Sequence, residues 1–421
     1  MRWLALARGF FGTLRRARRL KTREDLERYQ AGRLRALHRA APRVARFYRG
    51  LKGEAFPVID KAVLLSRFQD FNRLRLDAAK AFAMIEAGRA PRGYDLGCST
   101  GTSGNRGLYL VSDKERFLWL GTILAKTLPD LLLRRPRVAV ILPRMSRLYA
   151  GANQSRLVRL RFFDLREGLE RLAPEIAAFR PMVLVAPPKV LRYLAERRIA
   201  LGARRLFSAA EVLDPPDRAI IEAAFGVKLG EIYMATEGLF AVTCVHGTLH
   251  LAEDVVHFDL EPVEGHPGLV SPVVTDLTRR AQVMIRYRMN DLLEMAPQPC
   301  RCGSPLRAIA AVLGRADDVF LLPRRQGEGA VEVTPDILRN AVLADGEIED
   351  FRLVQITADT VELHLPPALG PACAILAAER LRQAFEAVGA AAALQTRMSE
   401  LPPPTGGKLR RVERRWRGDP P

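Results

Sequence analysis

The chain has 421 residues, with 66 Lys and Arg against 47 Asp and Glu, which gives a formal net charge of +19. This length suits one large domain plus a smaller one, and the 48% hydrophobic and 27% charged residues are typical of an ordinary globular protein. The charge favours polyanionic partners, but the arginines are spread along the whole chain without an RNA-binding aromatic signature, so specific nucleic-acid binding is not predicted.

The first twenty residues are basic and apolar. Arg8 interrupts their short apolar stretch and no small-residue cleavage site follows, so no signal peptide is expected. Two interpretations stay open: a helix packed on its own domain, or a helix in peripheral contact with a membrane. No apolar run approaches the roughly 20 residues needed to cross a bilayer. Five cysteines suit a reducing compartment better than a disulfide framework, so a cytoplasmic location is expected.

Helical spacing of apolar residues predicts a long helix over residues 21–48. From Gly93 onward, short apolar runs alternate with helical stretches, which is typical of an α/β domain with largely buried strands. Residues 270–287 are predicted to form two further strands around a turn at 276–280. The other predicted elements are strands at 137–143, 182–188 and 231–238 and helices at 114–127 and 190–200.

After Arg315 the pattern changes to helix, hairpin, helix and strand, which predicts a small α+β unit. The chain is therefore divided into a domain of residues 1–315 and a domain of residues 316–421. Whether it forms a monomer or a homodimer is left open.

A loop rich in glycine and hydroxyl side chains precedes the α/β region. Residues 99–104 read STGTSG and are followed by Asn105 and Arg106. Glycines allow close approach to a ligand, and hydroxyls with free amides can hold phosphate oxygens. The loop lacks the Gly-Lys-Ser/Thr ending of a P-loop, so the chemistry of P-loop NTPases is not predicted.

Five motifs in order resemble those of the adenylate-forming superfamily. STGTSGNRG resembles its phosphate-binding loop, with Arg106 near the usual lysine, and EIYMATEG (231–238) resembles its aromatic-x-x-Thr-Glu motif. IRYRMNDLL (285–293) is similar to its Tyr-Arg-x-x-Asp strand, and LGRADDVF (313–320) to its hinge. GGKLRRV (406–412) is similar to its C-terminal loop with the catalytic lysine.

Within that superfamily the chain resembles phenylacetate–CoA ligases and deazaflavin-cofactor adenylating synthetases, and a compact group of adenylate-forming enzymes related to them. The opening helices, the phrase FPVIDKAVLLSRF and a Cys-x-Cys pair support this placement. The resemblance implies a large N-terminal domain of layered sheets and helices, and a small C-terminal lid domain with the lysine loop. It also implies that ATP and Mg²⁺ convert a carboxylic acid, aromatic or hydrophobic, into an acyl-adenylate.

The resemblance also implies roles for particular residues. Lys408 would bridge the carboxylate and the α-phosphate, Thr236 would contact the α-phosphate, and Glu237 would hold magnesium. Tyr233 would stack on adenine, Asp291 would bind the ribose hydroxyls, and Arg315 would contact ribose or phosphate. The residues expected to hold the phosphates are Ser99, Thr100, Gly101, Thr102, Ser103, Gly104 and Arg106.

Cys244, His250, Cys300 and Cys302 form a further candidate site. Four such ligands satisfy tetrahedral zinc and leave no position open, as in structural zinc sites. Relatives of the branch commonly carry a Cys…His…Cys-x-Cys zinc site in this region. His246 is an alternative ligand, although His250 matches the relatives' pattern better.

The resemblance weakens after Arg315, where the relatives' Gly-rich turn and Asn-x-x-Pro element are replaced by DDVFLLPRRQGEGAVEVTPDIL. Adenylation is therefore predicted more firmly than thioester formation. The acyl acceptor, whether CoA, a carrier-protein thiol, an amine or a hydroxyl, stays open. Two other functions also stay open: an adenylyltransferase acting on a cofactor hydroxyl, and a non-catalytic scaffold that binds nucleotide, membrane or nucleic acid.

Overall fold

A computed structural model describes residues 2–51, 55–99, 106–142, 159–344, 348, 350–401 and 411–418. The chain divides into two compact units. The first unit comprises Met1–Met289 and Glu294–Ala311, and the second unit comprises Asn290–Leu293 and Val312–Pro421.

Four of the described helices of the first unit begin at a side-chain cap. Thr22 and Ser112 each start a helix through a capping box, in which the hydroxyl accepts from a backbone N–H three residues on and Asp25 or Glu115 accepts in return. Asp60 and Asp77 cap two shorter helices. The helices are α1 (Arg2–Arg19), α2 (Arg23–Val44), α3 (Lys61–Ser66), α4 (Phe68–Phe71), α5 (Ala78–Glu86), α6 (Asp113–Thr127), α7 (Leu131–Arg134), α8 (Leu169–Phe179), α9 (Pro188–Glu196) and α10 (Pro215–Phe225).

The strands of the first unit form a hairpin and a twelve-stranded mixed sheet. The hairpin pairs β1 (Tyr94–Cys98) with β2 (Leu108–Ser112). The strands of the sheet are β3 (Arg137–Leu142), β4 (Arg159–Asp164), β5 (Val183–Ala186), β6 (Arg205–Ala209), β7 (Leu229–Ala235), β8 (Gly238–Thr243), β9 (Leu249–Leu251), β10 (Val256–Pro262), β11 (Leu269–Asp276), β12 (Tyr287–Arg288), β13 (Asp291–Met295) and β14 (Ala308–Arg315). Strands β13 and β14 each continue along the chain from one unit into the other.

The strand order is β10-β11-β13-β14-β9-β8-β7-β6-β5-β3-β4, with β12 paired to β11. The five strands from β7 to β4 are parallel, and β8 then pairs antiparallel with β7. Strands β3 and β5 are nearly continuous apolar runs, and α8, α9 and α10 pack against the parallel strands in one core. This parallel region confirms the predicted α/β pattern, and its carboxyl edge is the edge where such sheets commonly bind ligands.

The prediction for residues 270–287 is half wrong. Strand β11 forms, but Tyr287–Arg288 alone represents the second strand. Between β11 and Tyr287, backbone N–H groups donate to partners other than a neighbouring strand of the sheet. The Val283 N–H donates to Phe71 O and the Ile285 N–H donates to the Tyr48 hydroxyl. Arg286 adopts a positive φ of 52°, which an extended strand cannot accommodate.

Helix α1 packs on its own domain, as one of the two interpretations predicted. Glycines bring it close to α6, since a Cβ on Gly9 would lie 2.1 Å from Leu118 O and one on Gly121 would lie 2.1 Å from Leu6 O. Buried Asp254 joins the two helices, with Arg16 Nε at 2.9 Å and Lys126 Nζ at 2.6 Å. The outer face leaves Trp3, Leu4 and Phe11 exposed, and membrane contact through it stays a prediction. Among the described helices, none has the length and apolar character that a membrane span requires.

The second unit contains a four-stranded sheet in the order β19-β18-β17-β20 and a separate hairpin of β15 with β16. Helices α11 and α12 pack with these strands around one apolar core that includes Phe320, Phe351 and Phe385. The elements are β15 (Phe320–Pro323), β16 (Ala330–Val333), α11 (Pro335–Leu343), β17 (Arg352–Gln355), β18 (Thr360–Leu365), α12 (Gly370–Ala387), β19 (Ala393–Met398) and β20 (Val412–Arg414). The division of function at Arg315, into an AMP-binding domain and a lid, stays a prediction.

Candidate active site and metal centre

The glycine-rich loop is closed at its base by two hydrogen bonds. The Ser99 N–H donates to Gly107 O at 2.8 Å, and the Gly107 N–H donates to Ser99 Oγ at 2.8 Å. The hairpin of β1 and β2 ends beside this base, with Cys98 opposite Leu108. Arg106 is exposed. The other predicted phosphate ligands, Thr100, Gly101, Thr102, Ser103 and Gly104, lie outside the described residues.

Thr236 and Glu237 form the two-residue turn between β7 and β8, where Ala235 pairs with Gly238. The turn lies at the carboxyl end of a parallel strand, so both side chains are presented at the ligand-binding edge of the sheet. Thr236 Oγ1 donates to Glu237 Oε2 at 2.8 Å, and the Tyr287 hydroxyl donates to Glu237 Oε1 at 3.4 Å. These contacts orient a half-buried carboxylate.

The loop base and the Thr236–Glu237 turn meet at Gly107. A Cβ on Gly107 would lie 3.6 Å from Glu237 Oε1, 3.6 Å from Ser99 Oγ and 3.4 Å from Lys61 Cε. The structure therefore brings together the predicted residues Ser99, Thr236 and Glu237. It adds Lys61 and Tyr287, which belong to the phrases FPVIDKAVLLSRF and IRYRMNDLL but were not predicted as site residues.

A buried ion pair supports the turn from behind. Arg279 Nη2 donates to Thr236 O at 2.9 Å, and Arg279 Nε lies 3.3 Å from Asp276 Oδ2. The other Asp276 oxygen accepts from the Thr278 N–H and hydroxyl, both at 2.7 Å, and from the Arg279 N–H at 3.0 Å. The sequence analysis missed this brace. Its signal is an Asp at the end of a strand, followed by Thr two residues later and by Arg three residues later.

The neighbouring parallel strand ends in a strained residue. Ala210 directly follows β6 and has a φ of +74°, a conformation that non-glycine residues rarely adopt. Such strain is often retained at ligand-binding sites, and Ala210 lies at the same sheet edge as Glu237. Sequence reasoning had no signal for it, because alanine is not a residue that marks positive φ.

Tyr233 lies on β7, four residues before Glu237, and is half-buried. Its ring packs on Phe240 at 5.3 Å between centroids. Stacking on adenine stays a prediction for this residue.

Two predicted residues belong to the second unit. Asp291 begins β13 and Arg315 ends β14. Their chain segments are joined, because the Ala316 N–H donates to Asn290 O at 3.1 Å and Asn290 Nδ2 donates to Asp317 Oδ2 at 2.6 Å. Lys408 lies outside the described residues, and its role stays a prediction.

The four predicted metal ligands converge in the first unit. Cys244 and His250 come from the β8–β9 hairpin, and Cys300 and Cys302 come from the segment between β13 and β14. Pairing of β9 with β14 brings the two segments together, with His250 opposite Ala308. All four ligand atoms lie within 4.8 Å of one another. His246 is not part of this cluster; its backbone N–H donates to Cys244 Sγ.

The distances fit a tetrahedral zinc site. Cys244 Sγ lies 3.8 Å from Cys300 Sγ, and Cys302 Sγ lies 3.3 Å from His250 Nε2. Zinc bonds of about 2.3 Å to sulfur and 2.0 Å to nitrogen give edges of about 3.8 Å and 3.5 Å. His250 Nδ1 lies 2.9 Å from Leu306 O, so a proton on Nδ1 leaves Nε2 free for a metal.

The two thiols of the Cys-x-Cys pair differ in acidity. Burial raises the pKa of the Cys300 thiol, but hydrogen bonds from Thr248, the Cys302 N–H and His250 outweigh it and lower the pKa to about 6. Burial and the neighbouring Cys300 and Cys244 raise the pKa of Cys302 to about 11. A divalent cation would supply the positive charge that lets both sulfurs ionise together.

Comparison with known proteins agrees with the motifs. Over 219 residues the chain is 28% identical to a phenylacetate–coenzyme A ligase of Thermus thermophilus, and the match covers 47% of each chain. A phenylacetate–coenzyme A ligase of Pseudomonas putida is 26% identical over 223 residues, again 47% of each chain. No family model matches the chain.

Over about half of its length the chain is similar in sequence to phenylacetate–CoA ligases. Its fold agrees with this: a structure of 2-hydroxyisobutyryl-CoA ligase in the postadenylation state superposes with a TM-score of 0.67 at 20% identity, over 91% of this chain and 88% of that one. The predicted fold class is thereby confirmed. The sequence matches span about half the length of these phenylacetate–CoA ligases, and the finer placement beside the deazaflavin-cofactor synthetases stays a prediction.

Proposed function

We propose that this protein uses ATP to convert a carboxylic acid into an acyl-adenylate. A carboxylate oxygen would attack the α-phosphorus, forming the acyl–AMP bond while pyrophosphate leaves. The observation that carries this proposal is the meeting of the loop base at Ser99–Gly107 with the Thr236–Glu237 turn at the carboxyl edge of the parallel strands.

The residues of the first unit fit the demands of this step. A carboxylate and a triphosphate repel each other, so the site must supply positive charge and hydrogen-bond donors. Lys61 and Arg106 are cations on or beside the loop, and the Thr236 hydroxyl is a donor at the sheet edge. Glu237 offers the hard oxygen ligands that Mg²⁺ prefers, and bound magnesium would neutralise phosphate charge. Lys408 is assigned to the carboxylate by resemblance alone.

CoA is the acceptor that we favour for the second half-reaction. Its thiol would attack the acyl carbonyl and AMP would leave. The phenylacetate–CoA ligases and the 2-hydroxyisobutyryl-CoA ligase support this choice, whereas the altered segment after Arg315 separates the chain from them. An aromatic or hydrophobic acid follows from the family resemblance, and a cytoplasmic location from the cysteines.

The test is ATP–pyrophosphate exchange on the full chain with pools of aromatic and aliphatic acids, with and without Mg²⁺. We expect Mg²⁺-dependent exchange with one pool, reduced at least 100-fold by Glu237→Gln or Lys408→Ala. Matched controls are Glu264→Gln in an exposed turn and Lys80→Ala on an exposed face of α5. Exchange that needs no acid but a hydroxylated cofactor would favour the adenylyltransferase. ATP binding without exchange from any pool would favour the scaffold.

We also propose that the Cys244–His250–Cys300–Cys302 cluster holds a structural zinc ion that ties two loops of the sheet together. Metal analysis of the purified chain should give about one zinc per chain, because four protein ligands close the coordination sphere. Cys300→Ser should lower this content severalfold, while Cys373→Ser in the second unit should retain it. Equal zinc content in the two variants would contradict the assignment.

A further inference from the structure

The first unit contains a cavity of about 620 Å³, away from the proposed adenylation site. This volume is within the range of about 300–1,000 Å³ that small-molecule sites occupy. Helices α1 and α2, the start of α6 and the segment after β11 enclose it. Six cationic side chains line it: Arg8, Arg16, Arg33, Arg73, Lys114 and Arg280. We call it the N-terminal basic cavity.

The acidic side chain in the lining carries a single charge and cannot balance six cations. Glu115 is committed to donors of the fold, since its Oε1 accepts from the N–H groups of Arg280 and Ala281 and its Oε2 accepts from Ser112. These bonds cap α6 and hold the segment after β11. Glu115 therefore bonds to these donors of the fold, while its charge also attracts the Arg280 guanidinium.

Arg33 and Arg280 bond to neutral carbonyls instead of carboxylates. Arg33 Nη2 donates to Leu277 O at 2.9 Å, and Arg280 Nη1 donates to Arg279 O at 2.5 Å. Within the described part of the chain, Arg33 Nε is buried without a hydrogen-bond partner. Burial, followed by the nearby charge of Arg33, lowers the pKa of Arg280 below its usual value. Two like charges are thus held together at the wall of the cavity.

The cavity is separate from the loop base at Ser99–Gly107. Ser112 and Tyr94 line it and face each other at one end of the β1–β2 hairpin, while Cys98 and Leu108 lie beside the loop base at the other end. A five-residue strand places these ends roughly 13 Å apart. A ligand in the cavity would therefore not occupy the proposed nucleotide site.

We propose that the N-terminal basic cavity binds a soluble small molecule that carries two or more phosphate groups. Of the six cations, Arg16 is already paired with Asp254. A monocarboxylate would leave most of the remaining positive charge uncompensated, whereas a polyphosphate supplies three or four negative charges. Its oxygens also match the forked donors of arginine. This inference does not depend on the proposed adenylation.

Two double variants test the site with the same loss of charge. Arg8→Gln with Lys114→Gln removes two exposed cations from the cavity lining, and Arg15→Gln with Arg18→Gln removes two exposed cations of α1 outside it. Calorimetric titration with inorganic tripolyphosphate at 0.15 M salt and without magnesium is the measurement. We expect wild type and the second variant to agree within about twofold in Kd, and the first variant to bind at least tenfold more weakly.

Equal weakening of both double variants would overturn the proposal, because it would show general attraction to a basic surface. So would the absence of tripolyphosphate binding by wild type at millimolar concentration. Sedimentation with vesicles of equal phosphatidylglycerol and phosphatidylcholine separates the sources of phosphate. Vesicle binding that needs Arg8 and Lys114, without tripolyphosphate binding, would assign the cavity to lipid headgroups and refute a soluble ligand.

Discussion

The Asp276–Arg279 pair should be a main energetic support of the Thr236–Glu237 turn. Both side chains are almost fully buried, at 8% and 6% exposure, so the interaction is poorly screened by water. Removing one partner of a buried pair costs about 3–5 kcal/mol, because the other charge is left without compensation. We therefore expect Asp276→Asn and Arg279→Met each to lower the free energy of unfolding by an amount in this range.

The two variants should differ within that range. Arg279→Met leaves a carboxylate that keeps three other donors, and it also removes a guanidinium whose Nη1 is buried without a partner among the described residues. Its cost should lie near 3 kcal/mol, whereas Asp276→Asn leaves a buried guanidinium without an anion and should cost nearer 5 kcal/mol. The double variant should cost about 2–3 kcal/mol less than the sum.

Guanidinium unfolding followed by circular dichroism measures these costs. For a unit on the order of 300 residues, each kcal/mol lost from the free energy of unfolding lowers the melting temperature by roughly 1.5 °C. The variants should therefore melt about 5–8 °C lower than wild type. Arg288→Met is the control, because its pair with Glu261 is exposed at 51% and 41% and should cost at most about 1 kcal/mol. Single costs near that of the control, or strictly additive costs, would refute the reasoning.

Three further predictions concern the first unit. Gly9→Ala places a Cβ 2.1 Å from Leu118 O, so it should lower the free energy of unfolding by about 1–3 kcal/mol and expose α1 to trypsin. Gly12→Ala is the control and should be neutral, because its Cβ would lie 3.4 Å from the flexible Arg16 Nη1. Equal proteolysis of the two variants would contradict this prediction. Burial raises the pKa of Asp254, but the charges of Lys126 and Arg16 outweigh burial and hold that pKa below the ordinary 3.8. The stability that the Asp254 carboxylate contributes is therefore complete above about pH 4 and is lost as the pH falls further. Unfolding of wild type and Asp254→Asn from pH 7 to 3 should show a shrinking difference, and a difference that widens in acid would refute the sign. Chelation of the predicted zinc should lower the melting temperature of wild type but not that of Cys300→Ser.

Sequence alone predicted the elements whose signal is local. The apolar runs of β3, β5 and β7 and the helices α6 and α9 were found because buried parallel strands and amphipathic helices have distinct periods. The second strand predicted before Tyr287 does not form, because tertiary bonds decide that segment: Phe71 O and the Tyr48 hydroxyl take its backbone donors. No window of the sequence contains those partners.

In the candidate sites too, residues with a local sequence signal were predicted, and residues placed by contacts distant in sequence were not. The cluster of Cys and His side chains could be predicted because these residues have few other reasons to recur at that spacing, and the pairing of β9 with β14 brings them within 4.8 Å. The brace of Asp276 and Arg279 escaped prediction because Asp and Arg are common surface residues, and their burial depends on how β11 packs behind the turn. Lys61 was part of a noted phrase, yet its proximity to Gly107 depends on contacts distant in sequence.

The position of Glu237 explains why a two-residue turn can serve as a binding element. Strand β7 is the last of the parallel strands, and β8 reverses direction immediately after Glu237, so the carboxylate is held by two ladders instead of by a free loop. Within the turn Thr236 donates to Glu237, and from outside it Tyr287 donates to Glu237 and Arg279 donates to Thr236 O. A rigid acidic group beside the base of the glycine-rich loop suits the proposed magnesium site, because a carboxylate held in place needs little reorganisation when a cation binds.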